Sequence, residues 1–155
     1  MKIAVFPGSF DPITLGHQNI VERALPLFDK IIVAIGQNAI KNYHFSIAQR
    51  IEFIQLTFEN NPKIEVTTYT GLTIDFCKQV DAKFILRGIR NIADYNYENS
   101  IAQMNKAMSG NIETIFIPTI PELSAINSTI IRDILINGGE VSKFVPAIIK
   151  NKLTK

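Results

Sequence analysis

Thr14, Gly16 and His17 form a T-x-G-H element inside the run Pro7-Gly8-Ser9-Phe10-Asp11-Pro12-Ile13-Thr14-Leu15-Gly16-His17. The apolar stretch Ile3-Ala4-Val5-Phe6 precedes it, and helical spacing follows in Ile20-Val21-Glu22-Arg23-Ala24-Leu25. A buried strand that turns through Gly and Pro into a helix puts Ser9, Thr14 and His17 at one edge. That edge lies between a strand's carboxyl end and a helix's amino end, where open α/β sheets bind ligands. Unpaired N–H groups and the helix dipole favour a phosphate there. Gly16 lets a ligand approach the backbone closely. A positive imidazole in the first helical turn opposes the dipole, so His17 is expected to stay partly neutral until a phosphate recharges it. An isolated T-x-G-H also fits a plain turn and capped helix. Its place after the first strand, in a loop shaped by Pro7, Gly8, Asp11 and Pro12, points to phosphate chemistry instead.

The elements that must hold these groups recur along the chain. Strands are expected at Lys2–Phe6, Lys30–Ile35, Lys63–Tyr69, Lys83–Leu86 and Glu113–Ile117, the last closed by Pro118. Several are near-continuous β-branched runs, the pattern of parallel strands covered on both faces. Ser46-Ile47-Ala48-Gln49 is a capping box that opens a helix to about Glu59, and Pro62 bars its continuation. Further helices are expected over Thr73–Val80, over Ile92–Met108 with a stop at Gly110, and from Ser128 to Gly138-Gly139. Pro146 is expected to open a last one. Strand–helix alternation of this length predicts right-handed crossovers. The expected fold is α/β: a single Rossmann-like doubly wound domain over 1–155 with a five-stranded parallel sheet.

The composition narrows the function classes. With 46% hydrophobic and 19% charged residues the chain is not of the disordered class. A net charge of +2, with basic residues scattered, does not imply nucleic acid. Cys77 is the only cysteine, which excludes an internal disulfide and reads as a small core residue. No cysteine or histidine spacing suggests a zinc site, and isolated His44 reads as an exposed loop residue. One lysine and four apolar residues before Pro7 do not make a signal peptide. No apolar run approaches the ~20 residues of a membrane span. A soluble, cytoplasmic protein without a membrane partner is expected.

Groups that follow the strand ends share one rim with His17. Lys41 follows strand two, Leu72-Thr73 strand three, Arg87-Gly88-Ile89-Arg90 strand four, and Ser124 to Thr129 strand five. Cations and hydroxyls on one rim suit a polyphosphate. Each has a plainer reading too. Lys41 taken singly is a solvated loop charge, and Arg90 beside Asp94 and Glu98 can close a salt bridge. Asn127 and Ser128 are accounted for by an N-cap. Tyr95 and Tyr97 read as packing or subunit contacts, and Asp11 as a turn former. Arg87 ends a hydrophobic strand, where a bare charge is costly unless paired or aimed at a ligand. G-x-x-x-x-G-K-[ST] and G-x-G-x-x-G are both absent. The residue types suit phosphoryl or nucleotidyl transfer by positioning and charge, without a covalent intermediate.

Together, P-G-S-F-D-P-I-T-L-G-H, Lys41, R-G-I-R at 87–90, Asp94 to Glu98 and I-N-S-T-I-I-R at 126–132 closely resemble the bacterial phosphopantetheine adenylyltransferases. The likeness runs over essentially the full length. T-x-G-H alone is shared with cytidylyltransferases and nicotinamide-mononucleotide adenylyltransferases, and R-G-x-R followed by Asp-Tyr-x-Tyr-Glu narrows the match. The resemblance implies transfer of an adenylyl group from ATP to 4′-phosphopantetheine with Mg²⁺, in a homohexamer. It implies catalytic roles for His17, Lys41 and Arg90. It implies a phosphopantetheine site of Ser9, Lys41, Leu72, Thr73, Arg87 and Asn105. For ATP it implies Ser9, Phe10, His17, Gly88, Ile89, Arg90, Glu98 and the segment Leu123, Ser124, Ala125, Ile126, Asn127, Ser128 and Thr129. No protein side chain is implied as a metal ligand, the Mg²⁺ being carried by ATP. Leu123 stands where an aromatic is common, Asn127 and Thr129 where serines are, and Thr73 where an apolar residue is usual. A related cytidylyl- or nicotinamide-mononucleotide transferase, or a silent nucleotide- or coenzyme A-binding module, is the alternative.

Overall fold

The computed structural model describes residues 1–38 and 40–153. In chain order it contains β1 (Ile3–Gly8), α1 (Leu15–Ala24), β2 (Lys30–Gly36), α2 (Ile47–Thr57), β3 (Ile64–Tyr69) and α3 (Thr73–Gln79). β4 (Phe84–Ile89), α4 (Ile92–Met108), β5 (Glu113–Pro118) and α5 (Ser128–Ile136) complete the regular elements. All five strands are parallel, in the order β3-β2-β1-β4-β5. This is the expected doubly wound α/β sheet. Its strand order reverses direction between β1 and β4, and crevices in such sheets form at that switch point.

Alternation along the strands builds two cores, one on each face. Ala4, Phe6, Ile31, Val33, Ile35 and Leu86 meet Ile20 and Val21 of α1, Phe53 and Ile54 of α2 and Ile131 of α5. Ile3, Val5, Ile32, Ala34 and Ile85 meet Ile74, Phe76 and Cys77 of α3 on the other face. Cys77 is thus the core residue expected, its thiol pushed up to about 11 by burial. α4 is the exception: none of its residues is buried, and Ile92, Tyr97, Met104 and Met108 stand at least half exposed.

Three expectations need correcting. β4 does not end at Leu86. Arg87, Gly88 and Ile89 continue it, opposite Phe116, Ile117 and Pro118. Pairing to β5 carries the strand through Arg87 and Gly88, past the apolar run that ends at Leu86. The last segment, Ala147–Lys152, is a 3-10 helix, too short for α-helical bonding to become established. α4 ends through an extended Ser109, not through a left-handed Gly110. The Lys106 ammonium donates to the Gly110 carbonyl there, at 2.8 Å. Gly138 does stop α5 as expected, with φ +75°.

Candidate active site

At the switch point the β1–β4 ladder pairs Ala4 with Phe84 and Val5 with Ile85. Pro7, with no N–H to offer β4, helps the strands part beyond that point. The gap is filled by a side chain: Arg87 Nη1 donates to the Pro7 carbonyl at 2.6 Å. Two cavities open here. The first, about 640 Å³, lies between α4 and the ends of the β2, β3 and β4 strands. The second, about 710 Å³, lies over the amino ends of α1 and α5. Pro7, Gly8, Ser9, Lys41, Arg87 and Glu98 line both. The two cavities therefore meet at one wall.

Two glycines make this wall possible. A Cβ on Gly8 would stand 2.9 Å from Phe10 Cζ, and one on Gly88 would stand 3.0 Å from Ile20 Cγ1. The first lets Phe10 fold under the loop, and the second lets β4 press against α1. Phe10 takes φ 46° to reach that position. Its ring packs edge-on against His17 and Phe6, with centroids 5.0 and 5.5 Å away.

T-x-G-H is a reciprocal helix cap. Thr14 Oγ1 accepts the His17 N–H at 3.3 Å, and His17 Nδ1 accepts the Thr14 N–H at 3.1 Å. Because Nδ1 accepts, the proton of the neutral ring sits on Nε2, the nitrogen the cap leaves unengaged. Burial, then the charges of Arg87 and Arg90, lower the pKa of His17 from 6.5 to about 4. The ring is neutral, as anticipated, but desolvation is the first cause rather than the dipole. Thr14 itself is only 2% exposed, so the cap is fixed in the core.

Around the second cavity, positive potential gathers from several sources. The N-termini of α1 and α5 both open onto it, capped by Thr14 and by Asn127, whose Oδ1 accepts the Ile130 N–H at 2.9 Å. Helix amino ends favour anions. Lys41, Arg87, Arg90 and Arg132 line the same space. Arg132 Nη1 donates to the Asp11 carbonyl at 2.8 Å and Nη2 to Thr129 Oγ1 at 3.2 Å.

Two of these cations are paired. Arg87 binds Glu98 through Nε at 2.8 Å and through a second, shorter contact at Nη2. One proton on each terminal nitrogen is left over for a ligand. Arg90 Nε and Nη2 grip Asp94 at 2.8 and 3.1 Å. Arg90's hydrogen bond holds the Asp94 carboxyl below its ordinary range, against the opposing effect of burial. The salt-bridge reading of Arg90 is the realised one. Glu98, expected beside the nucleotide, has its carboxylate on Arg87.

Most of the expected residues converge. Ser9, Phe10, His17, Lys41, Arg87, Gly88, Arg90 and Glu98 line the second cavity, with Leu123, Ile126, Asn127, Ser128 and Thr129 on its far wall. Ser9, Lys41, Thr73, Arg87 and Asn105 line the first. Leu72, Ile89, Ser124 and Ala125 border neither cavity. Leu72 turns outward at 55% exposure, and Ser124 Oγ is spent on the Pro121 carbonyl at 2.8 Å. The Thr73 hydroxyl pairs with the Tyr69 hydroxyl at 2.8 Å. Its polarity is satisfied within the wall.

Other readings fare variously. Asp11 is the turn former expected, and more: its carboxylate accepts the His44 and Phe45 N–H groups, each at 2.8 Å. His44 is half-buried rather than exposed, its ring edge-on to Phe45. Tyr95 packs on Phe116 while Tyr97 borders the second cavity. Arg132, Tyr43 and Arg50 were missed. Arg132 ends the quoted I-N-S-T-I-I-R segment, four residues after Ser128 on α5 and so on the same face. That spacing was a usable signal. For Arg50, in the first turn of α2, there was none.

The Cytidylyltransferase-like family model matches residues 5–134. A phosphopantetheine adenylyltransferase of Flavobacterium psychrophilum is 52% identical over 152 residues, 98% of this chain and 100% of the relative. The chain belongs to the phosphopantetheine adenylyltransferase family. A Coxiella burnetii phosphopantetheine adenylyltransferase is 44% identical over 99% of this chain and 96% of its own. Among solved structures, a bifunctional NMN adenylyltransferase/ADP ribose pyrophosphatase from Francisella tularensis superposes with a TM-score of 0.73 at 19% identity. It covers 93% of this chain and 44% of its own, and shares the fold. Phosphopantetheine adenylyltransferases are nucleotidyltransferases, and the T-x-G-H cap lies within the matched region.

Proposed function

We propose that the protein transfers the adenylyl group of ATP to 4′-phosphopantetheine, giving dephospho-coenzyme A and pyrophosphate. This is the penultimate step of coenzyme A biosynthesis. The observation that carries the reading is the wall shared by two cavities. A reaction that joins two large anionic substrates needs two compartments and one seam between them.

ATP would occupy the second cavity, its triphosphate over the ends of α1 and α5 and beside Arg90 and Arg132. The pantetheine arm would lie in the first cavity along Thr73 and Asn105. Lys41 and the free protons of Arg87 would then meet the acceptor phosphate at the seam. The acceptor oxygen attacks the α-phosphorus in line. A new P–O bond forms, the bond to the bridging oxygen breaks, and pyrophosphate leaves with the electron pair. The acceptor is already a dianion, so no base has to remove a proton. Catalysis is positioning and charge stabilisation. The His17 Nε2–H would donate to the α-phosphate oxygens as their charge grows, and Lys41 would offset repulsion between the two anions.

Among the described residues, no group of three or more His, Cys, Asp or Glu side chains could cage a metal. Of the three acids that line the second cavity, Glu98 and Asp94 are held by arginines and Asp11 by the His44 and Phe45 N–H groups. This donor set fits Mg²⁺ that arrives on the nucleotide with its own waters and neutralises phosphate charge. The chain over 1–155 would act as one cytoplasmic nucleotidyltransferase domain; among the described residues no helix is long and apolar enough to cross a membrane. The unburied α4, with its exposed apolar side chains, supports association with further copies of the chain, for which the family resemblance implies a homohexamer.

Initial-rate kinetics test the shared seam. Direct transfer requires both substrates bound at once, so double-reciprocal plots intersect and ATP alone releases no pyrophosphate. Parallel lines with pyrophosphate released before acceptor is added would overturn it.

A further inference from the structure

Arg50, on α2, is a buried cation without a counter-ion. It is 3% exposed, and among the described residues no carboxylate lies within 4.0 Å of it. Its Nε has no hydrogen-bond partner. A charge in that position costs free energy and needs a reason. Its contacts suggest one. Nη1 donates to the Ser9 carbonyl at 2.8 Å, and the guanidinium lies over the Tyr43 ring, 4.0 Å from its centroid. Ser9 belongs to the β1–α1 loop and lines both cavities. Tyr43 belongs to the β2–α2 loop, two residues from Lys41.

One planar group therefore ties together the two loops that carry Ser9 and Lys41. The Asp11 carboxylate joins the same loops further along, at His44 and Phe45. That tie leaves the Lys41 end of the loop to Arg50. Lys41 is itself exposed, and its N–H bonds only locally, to the Asn38 carbonyl at 3.2 Å. The stacked Tyr43 is the nearest anchor.

We propose that Arg50 is a positioning residue for adenylyl transfer, holding Lys41 at its working distance from Ser9 through the Tyr43 stack. This rests on the transfer reading above. Lysine at this position keeps the positive charge but cannot stack as a plane on Tyr43. Placement errors of about 1 Å cost up to ~10²-fold in rate.

The test is a double-mutant cycle on the full-length protein, following kcat and KM for both substrates. Arg50→Lys should lower kcat about 10–100-fold, with KM for ATP changed less than about threefold. In a Lys41→Met background the same replacement should lower kcat less than about threefold, because no ammonium remains to be placed. Tyr43→Leu, with Arg50 intact, should show the same dependence on Lys41 and decides the matter if Arg50→Lys does not fold. Equal fold-losses in both backgrounds, or a lowered melting temperature with kcat unchanged, would overturn the proposal. A wild-type protein that makes no dephospho-coenzyme A would instead defeat the transfer reading, and this inference with it.

Discussion

His17 has two jobs in one ring, and two substitutions separate them. Nδ1 closes the helix cap with Thr14, while Nε2 is the donor left for a phosphate. Glutamine at the third helical position also completes a capping box. The protein already does this at Ser46, whose N–H donates to Gln49 Oε1 at 3.0 Å. His17→Gln should therefore keep the cap but exchange the imidazole Nε2–H for a neutral amide N–H, which, unlike the ring, cannot take up a proton beside a phosphate. The expected loss in kcat is ~10²–10³-fold, about 3–4 kcal/mol of barrier, the scale for one preorganised donor. KM for ATP should move much less, since the bond strengthens mainly as charge develops. His17→Ala should lose as much rate and also the arm of the cap that accepts the Thr14 N–H, leaving that buried donor unpaired at a cost of about 1 kcal/mol. For a chain of this size that is about 2–4 °C in melting temperature. Steady-state pyrophosphate release and thermal unfolding of the three proteins decide it. A glutamine variant with near wild-type kcat, or with a melting temperature as low as the alanine variant, refutes the division of labour.

Two further outcomes follow from the charges. Lys41→Met should lower kcat at least ~10²-fold, since charges about 4 Å apart interact by several kcal/mol at the effective dielectric of such a site. Its melting temperature should stay near wild type, and Lys30→Met, which loses only a surface pair with Glu65, should be close to wild type in rate; equal small effects of the two would reduce Lys41 to a solvated charge. The His17 ring followed by NMR should titrate near 4 in the free protein and higher with ATP bound, because phosphate favours the cation. Above 6.5 neither folded nor unfolded His17 is charged; as pH falls from 6.5 to 4 only the unfolded form gains the proton. Stability should thus decline through that window. A free-protein titration at 6.5 would contradict the buried, neutral ring.

Local signals carried most of the fold. Short apolar runs, several of them β-branched, marked all five strands, and the Ser46 capping box marked a helix start, because both depend on neighbours in sequence. What stayed hidden depends on distant partners. Arg87 reads as a bare cation until α4 brings Glu98 against it, eleven residues on. β4 reads as ending at Leu86 until β5 pairs with its continuation. Asn127 showed its capping role locally, whereas Leu72 and Ser124 sat in the right loops but face away from the cavities. Only packing decides such orientation. Arg50 looks like any helical arginine, and its burial under Tyr43 and Ser9 emerges only when two loops close over α2.

The transferred group and its acceptor distinguish this enzyme from its cytidylyltransferase and nicotinamide-mononucleotide adenylyltransferase relatives. Purified protein, Mg²⁺ and 4′-phosphopantetheine, supplied with ATP or with CTP, test both by following pyrophosphate and identifying the product by mass spectrometry. ATP should give pyrophosphate and dephospho-coenzyme A in equal amounts, and CTP very little of either. Robust turnover with CTP, or with nicotinamide mononucleotide as acceptor and none with 4′-phosphopantetheine, would contradict the proposed transfer.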